Sequence, residues 1–171
     1  MISLGTNRLG PMQILKDWAD FHWEIRNFFR EQKFLEVITP TVVSCPGTEP
    51  AIEPFQTSLK QGSVSVPMFL RTSPELKIKR LLSAEVPRIF EIATVFRNEE
   101  YTPIHKPEFQ MLEWYRANEP LEQLETDVEA LIEALLRRFH RAEQLPVFTR
   151  QTVRDFLSEA LGVVIESHWG T

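Results

Sequence analysis

An arginine, an amide, acids and a phenylalanine stand close together on the segments Val95-Phe96-Arg97-Asn98-Glu99-Glu100 and His105-Lys106-Pro107-Glu108-Phe109. Those residue types suit a nucleotide. The guanidinium of Arg97 can meet a phosphate with a planar fork of donors, where a lysine would offer only a point charge. Phe109 can stack on a purine, and the Glu99 carboxylate can accept hydrogen bonds from an exocyclic amine. A surface hairpin with an arginine–glutamate pair and a buried phenylalanine would produce the same spacing, so the residues alone leave both readings open.

These side chains need a rigid frame, and the flanking sequence predicts one. Arg88 to Phe96 and Glu108 to Tyr115 are rich in β-branched and aromatic residues, which argues two strands of a hairpin around a loop holding Tyr101-Thr102-Pro103. Alternation along the second strand puts Phe109, Met111, Glu113 and Tyr115 on one face, with Gln110, Leu112 and Trp114 on the other. One face then carries a ring, a carboxylate and a phenol. Upstream, Ser73-Pro74-Glu75 reads as a helix start, with Ser73 as N-cap and Pro74 in the first turn of a helix running to about Ala84. Glu75 in that turn is also what the helix dipole favours.

The remaining elements predict an α+β chain, an antiparallel sheet flanked by helices. Trp18, Phe21, Ile25 and Phe28 have helical spacing within Ile14 to Gln32. A strand is expected through Leu35 to Val43, at an edge or with a bulge because Pro40 cannot donate to a ladder. Ser44 to Pro50 is a turn-rich loop, followed by short strand-like pieces near Phe55 and Val64 around Gly62. Leu121, Leu124, Val128, Leu131, Leu135 and Phe139 mark a long amphipathic helix. Its acids Glu122, Glu125, Asp127, Glu129 and Glu133 read as a solvated face. A shorter helix runs from about Val153 to Leu161 and stops at Gly162, and Val163 to Ile165 could begin another strand.

Composition bounds the function. Hydrophobic residues make up 43% and charged residues 25% of 171 residues, enough for one domain with a core. The single cysteine, Cys45, cannot form an internal disulfide or a structural zinc site. No apolar run reaches membrane-spanning length and no signal pattern opens the chain, so a cytoplasmic protein with no membrane partner is expected. A net charge of −5 argues against a broad nucleic-acid surface, although basic residues gather around the hairpin segment. The six glycines contain no Gly-x-Gly spacing, which excludes a Rossmann fingerprint and a Walker-type loop. Gly-x-Ser-x-Gly and His-Glu-x-x-His are also absent.

The run Phe-Arg-Asn-Glu-Glu at 96–100, with His105-Lys106-Pro107-Glu108-Phe109 and Leu112-Glu113-Trp114-Tyr115, resembles the second signature motif of class II aminoacyl-tRNA synthetases of the lysine type. The resemblance is strongest to the stand-alone ligases that attach a lysyl group to a lysine of bacterial elongation factor P. Thr72 to Leu82 is similar to the Ser-Pro-Glu helix of that family, and Phe34 to Pro40 to the strand and proline of its first motif. Three motifs in order, over about Ile14 to Leu136, make a specific signal.

The resemblance implies a class II synthetase-like catalytic core using ATP and Mg2+. Arg97 would be the catalytic residue, and Arg97, Asn98, Glu99, Lys106 and Phe109 would bind ATP. Ser73, Pro74, Glu75, Glu113 and Tyr115 would bind lysine or β-lysine, whose two ammonium groups call for more than one carboxylate. It also implies a homodimer through the first helix and strand. The chain departs from the family at Lys106, where an asparagine is usual, and near Pro103, where the nearest relatives carry a loop arginine. Residues 1–171 are expected to form a single partial catalytic domain ending before the third motif, with the magnesium ligands beyond Thr171. Without room for an anticodon-reading barrel, tRNA is the less expected acceptor. The rival readings are part of a lysyl-tRNA synthetase and a non-catalytic dimerising or ligand-binding paralogue.

Overall fold

The computed structural model describes residues 10–82, 86–98 and 102–164. Helix α1 (Pro11–Glu31) leads, followed by β1 (Leu35–Glu36), β2 (Val42–Val43), β3 (Gln56–Gln61), β4 (Val64–Leu70) and α2 (Glu75–Leu82). Strands β5 (Arg88–Phe96) and β6 (Glu108–Arg116) then precede α3 (Leu121–Arg138), a short 3-10 turn (Ala142–Gln144) and α4 (Val153–Leu161). The α+β expectation holds.

The strands form two three-stranded sheets. One runs β1-β5-β6, with β1 parallel to β5 and β5 antiparallel to β6, and the other runs β2-β4-β3, antiparallel throughout. The hairpin at the site lies where expected, and its register pairs Ile89 with Tyr115, Glu91 with Glu113 and Val95 with Phe109. Paired residues share a face, so the alternation divides the sheet cleanly. Phe90, Ile92, Leu112 and Trp114 face α1 and α3, where Phe29 is fully buried among Phe28, Phe34 and Phe90. The opposite face carries Glu91, Ala93, Val95, Phe109, Met111, Glu113 and Tyr115.

The expected strand from Leu35 to Val43 is two strands in different sheets. Val37 still donates to the Phe90 carbonyl, but Thr39 turns to Glu91 and the Thr41 carbonyl accepts from Arg71. Proline at 40 has no N–H to continue a ladder, and the chain crosses from one sheet to the other there. Gly62, with φ of 62°, occupies the left-handed region at the tight β3–β4 turn, as a glycine there should.

The acidic face of α3 also needs correction. Asp127 is buried and accepts both Arg116 Nε at 2.6 Å and Arg116 Nη2 at 2.8 Å. Arg116 also reaches Glu119, which accepts from Arg88, and lies 4.7 Å above the Phe34 ring. This chain of charges fastens α3 to the end of the hairpin. Helix α4 spans Val153–Leu161 and ends at Gly162, as expected, with Gly162 in the left-handed conformation; Thr152 also caps its start. Val163 and Val164 form no strand, and Ile165 lies outside the described residues.

Candidate functional site

The face of β5–β6 turned away from α1 and α3, against which the start of α2 sits, has two ends. At the loop end, Arg97 donates its backbone N–H to the Pro107 carbonyl at 2.9 Å, and its guanidinium lies 5.4 Å from the Phe109 ring centroid. A guanidinium over an aromatic face is a cation–π arrangement, which fixes a flexible side chain near the ring. Asn98 donates its N–H to the Glu53 carbonyl at 2.8 Å, joining the loop to the segment before β3. Lys106 is exposed, and Thr102 Oγ1 and His105 Nδ1 are 2.8 Å apart within the loop. Glu99 lies outside the described residues.

The other end gathers the predicted amino-acid ligands. Tyr115 donates its hydroxyl to Glu113 Oε2 at 3.2 Å, and the Ser73 hydroxyl also hydrogen-bonds Glu113. Ser73 Oγ accepts the Glu75 N–H at 3.1 Å, and the Pro74 carbonyl accepts from Lys77 and Ile78, so the helix start forms as read. Pro74 is fully buried behind it. Glu75, Leu112, Glu113, Trp114 and Tyr115 line a cavity of about 430 Å³ with Leu124 and Val128 of α3. Phe109 and Glu113 are four positions apart on β6, a separation of roughly 14 Å at strand rise.

The electrostatics of this end follow from crowding. Burial pushes the Glu113 carboxyl above its usual value, the hydrogen bond from Tyr115 opposes that, and the negative charge of Glu75 raises it further. The Tyr115 phenol is pushed up by burial and by Glu113, so it remains a proton donor. Glu75 pairs with Lys79 one turn along α2, at 2.5 Å, and this pair raises the Lys79 ammonium. The site therefore holds more carboxylate than its own cations balance, which suits a cationic ligand.

Sequence reasoning missed the support beneath it. Arg71 and Glu91 form an ion pair at 2.8 Å, with side chains 4% and 3% exposed. Thr39 closes the network by donating to both oxygens of Glu91, through its N–H at 3.2 Å and its hydroxyl at 2.7 Å. Glu91 is also the cross-strand partner of Glu113. The signal available in sequence was a glutamate at an inward position of an apolar strand, which demands a buried partner.

A second cavity, of about 470 Å³, lies between α3 and residues 148–151 and contains none of the predicted ligands. Among the described residues no three His, Cys, Asp or Glu side chains gather as metal ligands. Also among them, no helix is long and apolar enough to cross a membrane.

Residues 4–165 match the family described as tRNA synthetases class II (D, K and N). The elongation factor P–(R)-beta-lysine ligase of Sodalis glossinidius is 40% identical over 153 residues, covering 86% of this chain and 47% of the relative. The counterpart from Mannheimia succiniciproducens is 41% identical over 128 residues, covering 74% of this chain and 40% of the relative. The lysine–tRNA ligase of Shewanella pealeana is 38% identical over 122 residues, covering 71% of this chain and 24% of the relative. The chain spans about half the length, or less, of these curated relatives.

Proposed function

The chain belongs to the class II tRNA synthetases of the D, K and N type, and from that we propose that it activates lysine or β-lysine with ATP and serves transfer of the lysyl group to elongation factor P. The observation carrying this reading is the two-ended face of the hairpin. A guanidinium and an aromatic ring stand at the loop end, and a Ser73–Glu75–Glu113–Tyr115 cluster stands roughly 14 Å away at the other. That spacing suits an amino acid and a nucleotide laid end to end across one sheet.

In this reading the amino-acid carboxylate attacks the α-phosphate of ATP, forming an acyl-adenylate and releasing pyrophosphate. An amine of the acceptor then takes the acyl group and releases AMP. Glu113 and Glu75 hold the ammonium groups, Tyr115 and Ser73 orient Glu113, and Pro74 shapes the wall. Phe109 stacks on the base, with Asn98, Glu99 and Lys106 around the nucleotide. Arg97 stabilises charge growing on the α-phosphate, the kind of fixed donor that gives charge stabilisation without reorganisation. Mg2+, when bound with ATP, would neutralise phosphate charge; no residue described here is assigned to it.

Lysine and elongation factor P as substrates are supported by the names of the relatives from Sodalis and Mannheimia. A second reading, lysine transfer to tRNA, is favoured by the match to the Shewanella lysine–tRNA ligase. We also propose a homodimer through α1 and the β1–β2 segment, supported by exposed Trp18, Trp23 and Ile38 there. The deciding assay is ATP–pyrophosphate exchange with L-lysine and (R)-β-lysine, followed by acyl transfer to elongation factor P or to lysine tRNA. It is run on this chain and on a chimera appending the remaining half of the Sodalis relative. Transfer to the protein alone supports the first reading, transfer to tRNA the second, and no exchange by either protein overturns both.

A further inference from the structure

Arg71 is the last residue before the Thr72-Ser73-Pro74-Glu75 turn, and it bonds to several parts of the site's framework. Its N–H donates to the Thr41 carbonyl at 3.0 Å, and its own carbonyl accepts from Phe96, the residue before Arg97, at 2.9 Å. Its side chain donates Nε to the Thr94 carbonyl at 2.9 Å. Nη1 donates to the Thr39 carbonyl at 3.0 Å, the Thr39 hydroxyl at 2.7 Å and Glu91 Oε1 at 2.8 Å. One residue thus ties together the strand crossing between the sheets, the strand leading to Arg97 and the turn leading to Glu75.

Its charge matters as much as its reach. Glu91 and Glu113 are directly opposed on adjacent strands, which puts their β-carbons about 5 Å apart. Glu113 is also faced by Tyr115 on its own strand and by Ser73, Glu75 and Lys79 from α2 and the turn before it. An uncompensated Glu91 would add a further negative charge to this group, and like charges this close cannot all ionise. Arg71 is the cation that closes on Glu91.

We propose that Arg71 is a positioning residue of the amino-acid pocket: by neutralising Glu91 it keeps Glu113 available as the ionised carboxylate for the substrate ammonium, while its backbone and side chain hold Glu75 and Arg97 in one frame. The inference rests on reading the Glu75–Glu113 cluster as an amino-acid pocket.

The test uses the whole 171-residue chain with carbon-13-labelled glutamate. Glu113 is titrated by its carboxyl shift, assigned with Glu113→Gln, and L-lysine binding is measured by calorimetry. Arg71→Met should raise the Glu113 midpoint by about one unit or more, and weaken L-lysine binding at least tenfold. Glu91→Gln removes the negative charge opposite Glu113, one of those that raise its carboxyl, and should lower the midpoint. The double variant Arg71→Met/Glu91→Gln should return it close to the parent value. General loosening of the fold does not produce opposite signs followed by restoration. If Arg71→Met does not fold, Glu91→Gln and the double variant still decide. A Glu113 midpoint unmoved in folded variants overturns the proposal. Midpoints that move as described in a chain that binds no L-lysine uphold the charge balance and overturn the amino-acid reading of the pocket.

Discussion

Arg97 and Glu113 divide the proposed chemistry, and each has its own signature. Arg97→Ala removes a donor aimed at developing charge, so exchange should fall on the order of a hundredfold or more with the lysine KM little changed. Equal exchange in the variant removes Arg97 from the mechanism. Glu113 has a carboxyl raised by burial and by Glu75, so folding favours its neutral form more than the unfolded chain does. That contribution to stability is complete below the ordinary value of 4.5 and is lost as pH rises through the higher folded value. Glu113→Gln should therefore raise the melting temperature at pH 8 but not at pH 4, while weakening L-lysine binding; calorimetric scans at the two pH values check this. The helix start at Ser73-Pro74-Glu75 and the shared face of Glu113 and Tyr115 were legible in sequence because both are local patterns, while their meeting at one site was only implied by the family resemblance. Arg71 and Glu91 were not, because their partners lie 20 residues apart, and Thr39 lies 52 from Glu91. Nothing in a strand's own sequence says which distant cation will neutralise its buried acid.

Among the elements, the hairpin and most helix limits were legible because strong periodicity and turn residues mark them; the expected end of α2 at Ala84 lies outside the described residues. The β1–β2 segment was misread as one strand because β-propensity continues through it, whereas sheet membership is a tertiary choice. Helix α3 was misread on its acidic face for a similar reason: a charge at a helical position shows its period but not its partner. Asp127 and Arg116 are both almost fully buried, at 3% and 4% side-chain exposure. Asp127→Ala removes two of the hydrogen bonds of the buried Arg116 guanidinium, leaving it Glu119 alone, and should destabilise the fold by about 3 kcal/mol. Replacing both residues with apolar ones, as in Arg116→Met/Asp127→Leu, should recover most of that loss, as measured by urea denaturation with unchanged m.

For the whole molecule, the proposed pairing surface is the exposed apolar residues of α1 and the segment after β1. Ile38 is 92% exposed, and Trp18 and Trp23 are more than half exposed on the outer faces of α1. If copies pair through this surface, Ile38→Asp with Trp18→Glu should shift the protein from dimer to monomer in sedimentation velocity; an unchanged dimer would place the interface elsewhere. The opposite surface, with its acids and phenol, depends on how β6 pairs with β5. Because side chains alternate with a period of two, a slip of one residue would turn Glu113 and Tyr115 into the aromatic core and Leu112 and Trp114 to the face that now carries the acids. No partial slip lies between those states. Changes in the loop at 102–107 would adjust the proposed nucleotide affinity by degrees, but strand pairing can only keep Glu113 and Tyr115 on their face or remove them from it, so selection on that pairing acts as a switch with two settings.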